Sequence, residues 1–156
     1  MEAEVLGIDH IYISVRSLID SQRFYDRVLV DVLGFRKNQF ELNGVPHVQY
    51  YNRQFGFVIR AARPGSAPHD CSAPGLHHFC LRVESEAEID RVARALTGAG
   101  IDVEAPRYYP HYAADYYAIF FTDPDGIRLE VTNFRAERKA RLHSWDESAG
   151  GSSTLA

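Results

Sequence analysis

Two stretches of this chain repeat each other and carry a histidine at the same place. Ile8-Asp9-His10-Ile11-Tyr12-Ile13-Ser14-Val15 is matched 68 residues later by Leu76-His77-His78-Phe79-Cys80-Leu81-Arg82-Val83. Read as β-strands, a period of two puts Ile11, Ile13 and Val15 on one face and His10, Tyr12 and Ser14 on the other. In the second copy Phe79, Leu81 and Val83 oppose His78, Cys80 and Arg82. Both histidines leave the apolar face and point the same way, so the repeat dictates two similar halves, each presenting one imidazole beside a shared core.

The segments after the two strands are also alike. Ser17-Leu18-Ile19-Asp20 and Ser85-Glu86-Ala87-Glu88 read as helix starts with a carboxylate three residues past the cap. The first helix is expected to run to Leu33-Gly34. The second has its apolar stripe at Ile89, Val92, Ala93 and Leu96 and stops at Gly98 and Gly100. Three strand-like runs come next in each half: Phe35 to Leu42, His47 to Tyr51 and Phe55 to Ala61 in the first, and Ile101 to Glu104, Tyr116 to Phe121 and Arg128 to Asn133 in the second. Asn43-Gly44-Val45-Pro46, Asn52-Arg53-Gln54 and Asp123-Pro124-Asp125-Gly126 punctuate them as turns. The order β-α-β-β-β, linker, β-α-β-β-β gives an α+β class and one domain over 1–134: module one at 7–63, a Pro/Gly-rich linker at 64–74 and module two at 75–134. A charged helix or extension is expected over 135–147 and a flexible tail over 148–156.

Composition narrows the function. A net charge of −4 gives no basic nucleic-acid footprint, and no stretch approaches the ~18 apolar residues of a membrane span. These features predict a cytoplasmic protein that binds neither nucleic acid nor membrane. Two cysteines, Cys71 and Cys80, are too few for a disulfide framework or a thiolate zinc site, so a metal must be held by nitrogen and oxygen, and Cys80 reads as a small packed residue. Glu130 passes the same face test as the two histidines: in Arg128-Leu129-Glu130-Val131-Thr132 the apolar Leu129 and Val131 take the other face.

Asp9-His10-Ile11, Phe24-Tyr25 with Val32-Leu33-Gly34-Phe35, Gly75-Leu76-His77-His78-Phe79 and Asp123-Pro124-Asp125-Gly126-Ile127-Arg128-Leu129-Glu130 together resemble the vicinal oxygen chelate superfamily over residues 7 to 134. That superfamily includes glyoxalase I, extradiol dioxygenases, fosfomycin-resistance enzymes and bleomycin-binding proteins. The resemblance implies a curved eight-stranded mixed sheet around a metal cleft, with His10, His78 and Glu130 as ligands. Two imidazoles and one carboxylate leave open positions for substrate on a catalytic divalent ion. Iron(II) or manganese(II) is the first expectation, with zinc, cobalt and nickel left open. His77 aligns with Asp9 and is assigned to packing or a hydrogen bond.

Within the superfamily the residues favour some chemistries over others. Glyoxalase I has a fourth, acidic ligand on the last strand of its first module, where Phe57-Val58-Ile59-Arg60-Ala61 has no acid. The anion clamp of fosfomycin-resistance enzymes is not recognisable, although Arg60, Arg82 and Arg128 offer positive charge. The extradiol signature comes closer through His111, Ile119, the Asp123 turn and Glu130, with Phe120 where its tyrosine belongs. The expected function is a metal-dependent oxygenase or lyase acting on a small oxygenated, aromatic substrate. A fosfomycin-resistance-type enzyme and a non-catalytic antibiotic-binding protein are the alternatives. His111 and Tyr116 are the candidate catalytic residues, Tyr116 because it shares the strand face of Phe120. Open sheet edges predict a homodimer, and His47, His69 and His143 are expected to be solvent-exposed.

Overall fold

The computed structural model describes residue 3 and residues 5–148. Strand β1 (His10–Val15) leads into helix α1 (Leu18–Tyr25), and strands β2 (Arg36–Leu42), β3 (Val45–Tyr51) and β4 (Gly56–Ala61) complete the first repeat. The second repeat has β5 (His78–Val83), α2 (Glu86–Gly98), β6 (Arg107–Tyr108), β7 (Tyr117–Thr122) and β8 (Arg128–Asn133), and α3 (Ala136–Ser148) comes after it. The strand orders β1-β4-β3-β2 and β5-β8-β7-β6 are the same, with β1 parallel to β4 and β5 parallel to β8. Apart from Ser148, the tail expected over 148–156 lies outside the described residues.

Local chemistry accounts for the helix boundaries. Ser17 and Ser85 sit in extended backbone and accept hydrogen bonds from the amides of Asp20 and Glu88. The apolar stripe of α2 is buried at Ile89, Val92, Ala93 and Leu96, and the helix ends into Gly100 at φ 76°. The first helix does not stay α-helical to Leu33. From Asp26 to Val32 it widens into a π-helical segment, with the Leu33 amide bonded to the Val28 carbonyl at 3.1 Å. Where it widens, Tyr25 is buried and the Asp26 carboxylate accepts from the Tyr50 hydroxyl (2.9 Å) and from Lys37 (2.7 Å).

The turn expected at 43–46 is tighter than its sequence suggests. Asn43 and Gly44 both take positive φ, so these two residues alone join β2 to β3, and Val45 and Pro46 already belong to β3. Pro46 is tolerated there because the ladder from β3 to β4 begins one residue later, at His47. In the second repeat the strand expected at 101–104 reduces to one bridge, Val103 to Phe121. Pro106 has no amide hydrogen to donate, and pairing with β7 resumes at Arg107 and Tyr108.

Among the described residues the eight strands form two four-stranded sheets rather than one continuous ladder. The reason is visible in the packing. The apolar faces of both sheets are turned toward a single core that also takes α1 and α2. Phe57 of β4 meets Phe79 of β5 with ring centroids 5.0 Å apart, and Phe24 of α1 reaches Phe121 of β7 at 6.4 Å. The faces carrying His10 and His78 therefore both look outward, away from that core.

The Asp123-Pro124-Asp125-Gly126 turn fastens the two repeats together. Asp123 accepts the amides of Asp125 and Ile127 on one carboxylate oxygen and the hydroxyl of fully buried Tyr25 on the other, at 2.9 Å. Asp125 takes both the amide and the guanidinium of Arg16, at 2.9 and 2.8 Å. Desolvation raises the Asp123 carboxyl above the ordinary carboxylate range, partly countered by the amide and tyrosine donors. Tyr25→Phe leaves one buried carboxylate oxygen without its donor, and urea unfolding is expected to show a loss of about 1–3 kcal/mol with an unchanged m-value.

Candidate functional site

The register fixes which side chains share the outward face of the second sheet. His78, Arg128 and Thr122 form one row across β5, β8 and β7; Cys80, Glu130 and Phe120 form the next; Arg82, Thr132 and Ala118 form the third. Glu130 is buried, at 2% exposure, whereas its place after a turn suggests a solvent-facing carboxylate. One of its oxygens accepts from the Tyr116 hydroxyl at 2.5 Å and the other lies 3.4 Å from Nε2 of His78. Two donors held ~2.1 Å from one ion stand about 3.0–3.4 Å apart, so this imidazole and this carboxylate fit a shared divalent cation.

The neighbours of the two histidines explain why Nε2 is the free nitrogen. Nδ1 of His78 contacts Nδ1 of His77 at 2.7 Å, and Nδ1 of His10 contacts the Asp9 carboxylate at 2.7 Å. In each repeat the preceding residue contacts Nδ1, and in the first repeat that partner is a carboxylate, the outer-shell arrangement typical of metal-binding imidazoles. His77 thus takes the hydrogen-bonding role expected of it, from an exposed position.

His10 does not join His78 and Glu130 within one chain. Among the described residues no three His, Cys, Asp or Glu side chains are grouped closely enough to hold a metal ion. The first sheet presents its own matching face: His10 and Gly56 in one row, Tyr12, Val58 and Gln49 in the next, then Ser14, Arg60 and His47. Val58 stands at the register position that Glu130 holds in the second sheet, so the two halves are not chemically equivalent.

Aromatic side chains crowd the second face. Tyr109 and Phe120, at 7% and 4% exposure, form with Ala118 and Tyr116 an apolar cluster separate from the main core. His111 packs against Tyr112 at 4.1 Å, and Tyr112 against Tyr116 at 5.2 Å, so a line of rings connects exposed His111 to the Tyr116–Glu130 bond. Desolvation and the hydrogen bond to Glu130 push the Tyr116 phenol well above its usual value, making it a lasting donor rather than a base.

Several expectations need correction. His47 lies in β3, 2% exposed, stacked on Phe40 at 5.0 Å and edge-on to Tyr12 at 5.5 Å, with Nδ1 2.7 Å from the Val45 carbonyl. The alternation His47-Gln49-Tyr51 against Val48-Tyr50 holds the signal that places it on the His10 face. His69 is half-buried, and its Nε2 is enclosed without a hydrogen-bond partner. His143 is exposed as expected. Cys80 is exposed beside Glu130 rather than packed away, at the β5 edge of the row whose inner members Glu130 and Phe120 are buried. A mutant cycle tests the central contact: Tyr116→Phe removes the donor and Glu130→Leu the acceptor of the same hydrogen bond, so their unfolding losses are expected to be non-additive by about 0.5–3 kcal/mol.

Residues 7–131 match the family model described as the Glyoxalase/Bleomycin resistance protein/Dioxygenase superfamily. The uncharacterized protein YqjT of Bacillus subtilis is 30% identical over 125 residues, which is 78% of this chain and 94% of that protein. A glyoxylase/bleomycin resistance protein/dioxygenase domain from Frankia sp. EAN1pec has the same fold, with a TM-score of 0.70, 24% identity, and 85% of this chain and 100% of that one covered. The fosfomycin resistance protein FosX of Listeria monocytogenes shares the fold at a TM-score of 0.61 and 15% identity, over 87% of this chain and 99% of that one.

Proposed function

The chain belongs to the Glyoxalase/Bleomycin resistance protein/Dioxygenase superfamily, and on that premise we propose that it is a metal-dependent oxygenase or lyase acting on a small oxygenated, aromatic substrate. The observation that carries this reading is the 3.4 Å approach of His78 Nε2 to the buried carboxylate of Glu130, beside a wall of aromatic rings. His10 completes the ligand set. Because His10 and His78 face outward from one core, the proposed site forms between two copies of the chain, His10 from one and His78 with Glu130 from the other. A homodimer then carries two such sites and covers the open β1 and β5 edges.

His10, His78 and Glu130 would hold a divalent metal, iron(II) or manganese(II) before zinc, cobalt or nickel, which would supply Lewis-acid chemistry toward substrate oxygen. The protein's own groups do the rest. His77 and Asp9 orient the imidazoles, and Tyr116 holds Glu130 in place by donating its hydroxyl proton. The rings of Tyr109, Tyr112 and Phe120 offer a flat apolar surface to an aromatic substrate. His111, at the end of that line of rings, is the proposed proton carrier, an imidazole being suited to transfer near neutral pH.

Metal analysis after loading with Mn2+ tests the ligand set. His10→Ala, His78→Ala and Glu130→Ala are each expected to weaken metal binding by more than the roughly 10–100-fold that His77→Ala costs through an outer-shell contact. If sites form between copies, mixing unfolded His10→Ala and Glu130→Ala chains and refolding them together restores metal to about a quarter of the sites, since half the dimers are mixed and each has one intact site. No recovery, with dimers present, refutes the shared site. With a turned-over substrate in hand, His111→Phe is expected to keep metal and fold and to slow turnover by ~10²–10⁴.

A further inference from the structure

Arg128, on the proposed metal-binding face, has no acidic partner among the described residues. Arg128 stands opposite His78 in the β5–β8 register, two residues before Glu130, and its guanidinium lies over the Phe120 ring at 4.0 Å. Phe120 is itself the register partner of Glu130 on β7. The guanidinium therefore lies on the same face as Glu130 without an ion pair to it, and no carboxylate among the described residues lies within ion-pair distance. The two Glu130 oxygens are occupied by Tyr116 and His78 instead.

A guanidinium resting on an aromatic ring is held in one orientation and has lost water from one face, while its N–H edges stay free. Such a fork fits a planar carboxylate through two parallel hydrogen bonds. Arg82 on the same face, over Phe134 at 4.2 Å, likewise lacks an acidic partner among the described residues. This face therefore carries two arginines against the one carboxylate of Glu130, although the whole chain carries a net charge of −4.

We infer that Arg128 is a carboxylate-binding residue, so that the substrate is an organic acid whose carboxylate pairs with Arg128 while neighbouring oxygens go to the metal. The inference rests on the proposed metal site. It makes a neutral chelator a poorer ligand than an acid of the same skeleton. The aromatic ledge takes the body of the molecule, and Arg128 fixes which end faces Glu130.

Full-length protein loaded with Mn2+ under nitrogen is titrated calorimetrically with catechol and with 2,3- and 3,4-dihydroxybenzoate, which share its two oxygens and add a carboxylate. At least one acid is expected to bind about tenfold or more tighter than catechol. Arg128→Gln is expected to abolish that preference with metal content and catechol affinity unchanged, and Arg128→Lys, which keeps the charge but not the fork, to retain part of it. The inference is overturned if neither acid is preferred by the parent protein, if the preference survives in Arg128→Gln, or if both Arg128 variants weaken catechol and acids alike. A parent protein that takes up no metal overturns the proposed function and this inference together. Normal metal uptake with an indifferent Arg128→Gln overturns this inference alone.

Discussion

The hydrogen bond from Tyr25 to Asp123 ties the first repeat to the second at the bottom of their common core. A neutral phenol meets a carboxylate out of water, and the other oxygen of that carboxylate is already committed to two backbone amides of its own turn. Such a bond is costly to leave half-made, so it specifies one docking of α1 against the β7–β8 turn. Arg16 and Asp125 secure the same junction nearer the surface. The apolar faces of both sheets then share one core, and the polar faces are left looking outward.

That outward orientation shapes the chemistry. On the second sheet a buried carboxylate is held between a tyrosine and a histidine, with aromatic rings on one side and, on another, an arginine that has no carboxylate partner among the described residues. On the first sheet His10 has a carboxylate of its own, while Val58 fills the position equivalent to Glu130. The halves repeat in backbone and differ in side chains: one presents an imidazole, the other an imidazole, a carboxylate and a cluster of aromatic rings. The proposed site between two copies rests on that asymmetry, because one face lacks what the other carries.

The Asp123-Pro124-Asp125-Gly126 turn shows how a motif carries two messages. In sequence it signals that Glu130 comes next on a strand. In the structure its two acids fasten the repeats, and Gly126 supplies the positive φ of 85° that the turn requires. Changing either acid thus acts on domain packing as well as on the strand that bears Glu130.

The period-two pattern of the strands was enough to read, from sequence, that His10, His78 and Glu130 leave the apolar face and that Tyr116 travels with Phe120, because strand geometry is local. The helix caps at Ser17 and Ser85 and the stripe of α2 were legible for the same reason. What the sequence could not hold was any relation between distant residues. That Glu130 is buried, that His47 is buried against Tyr12, that α1 widens at Asp26 and that Cys80 stays exposed depend on partners far along the chain. The sequence by itself determined the faces of the strands, through the alternation of side chains. Only the tertiary structure decided which faces meet, because that is set by the mutual burial of the two sheets and by the buried hydrogen bond from Tyr25 to Asp123 that ties them.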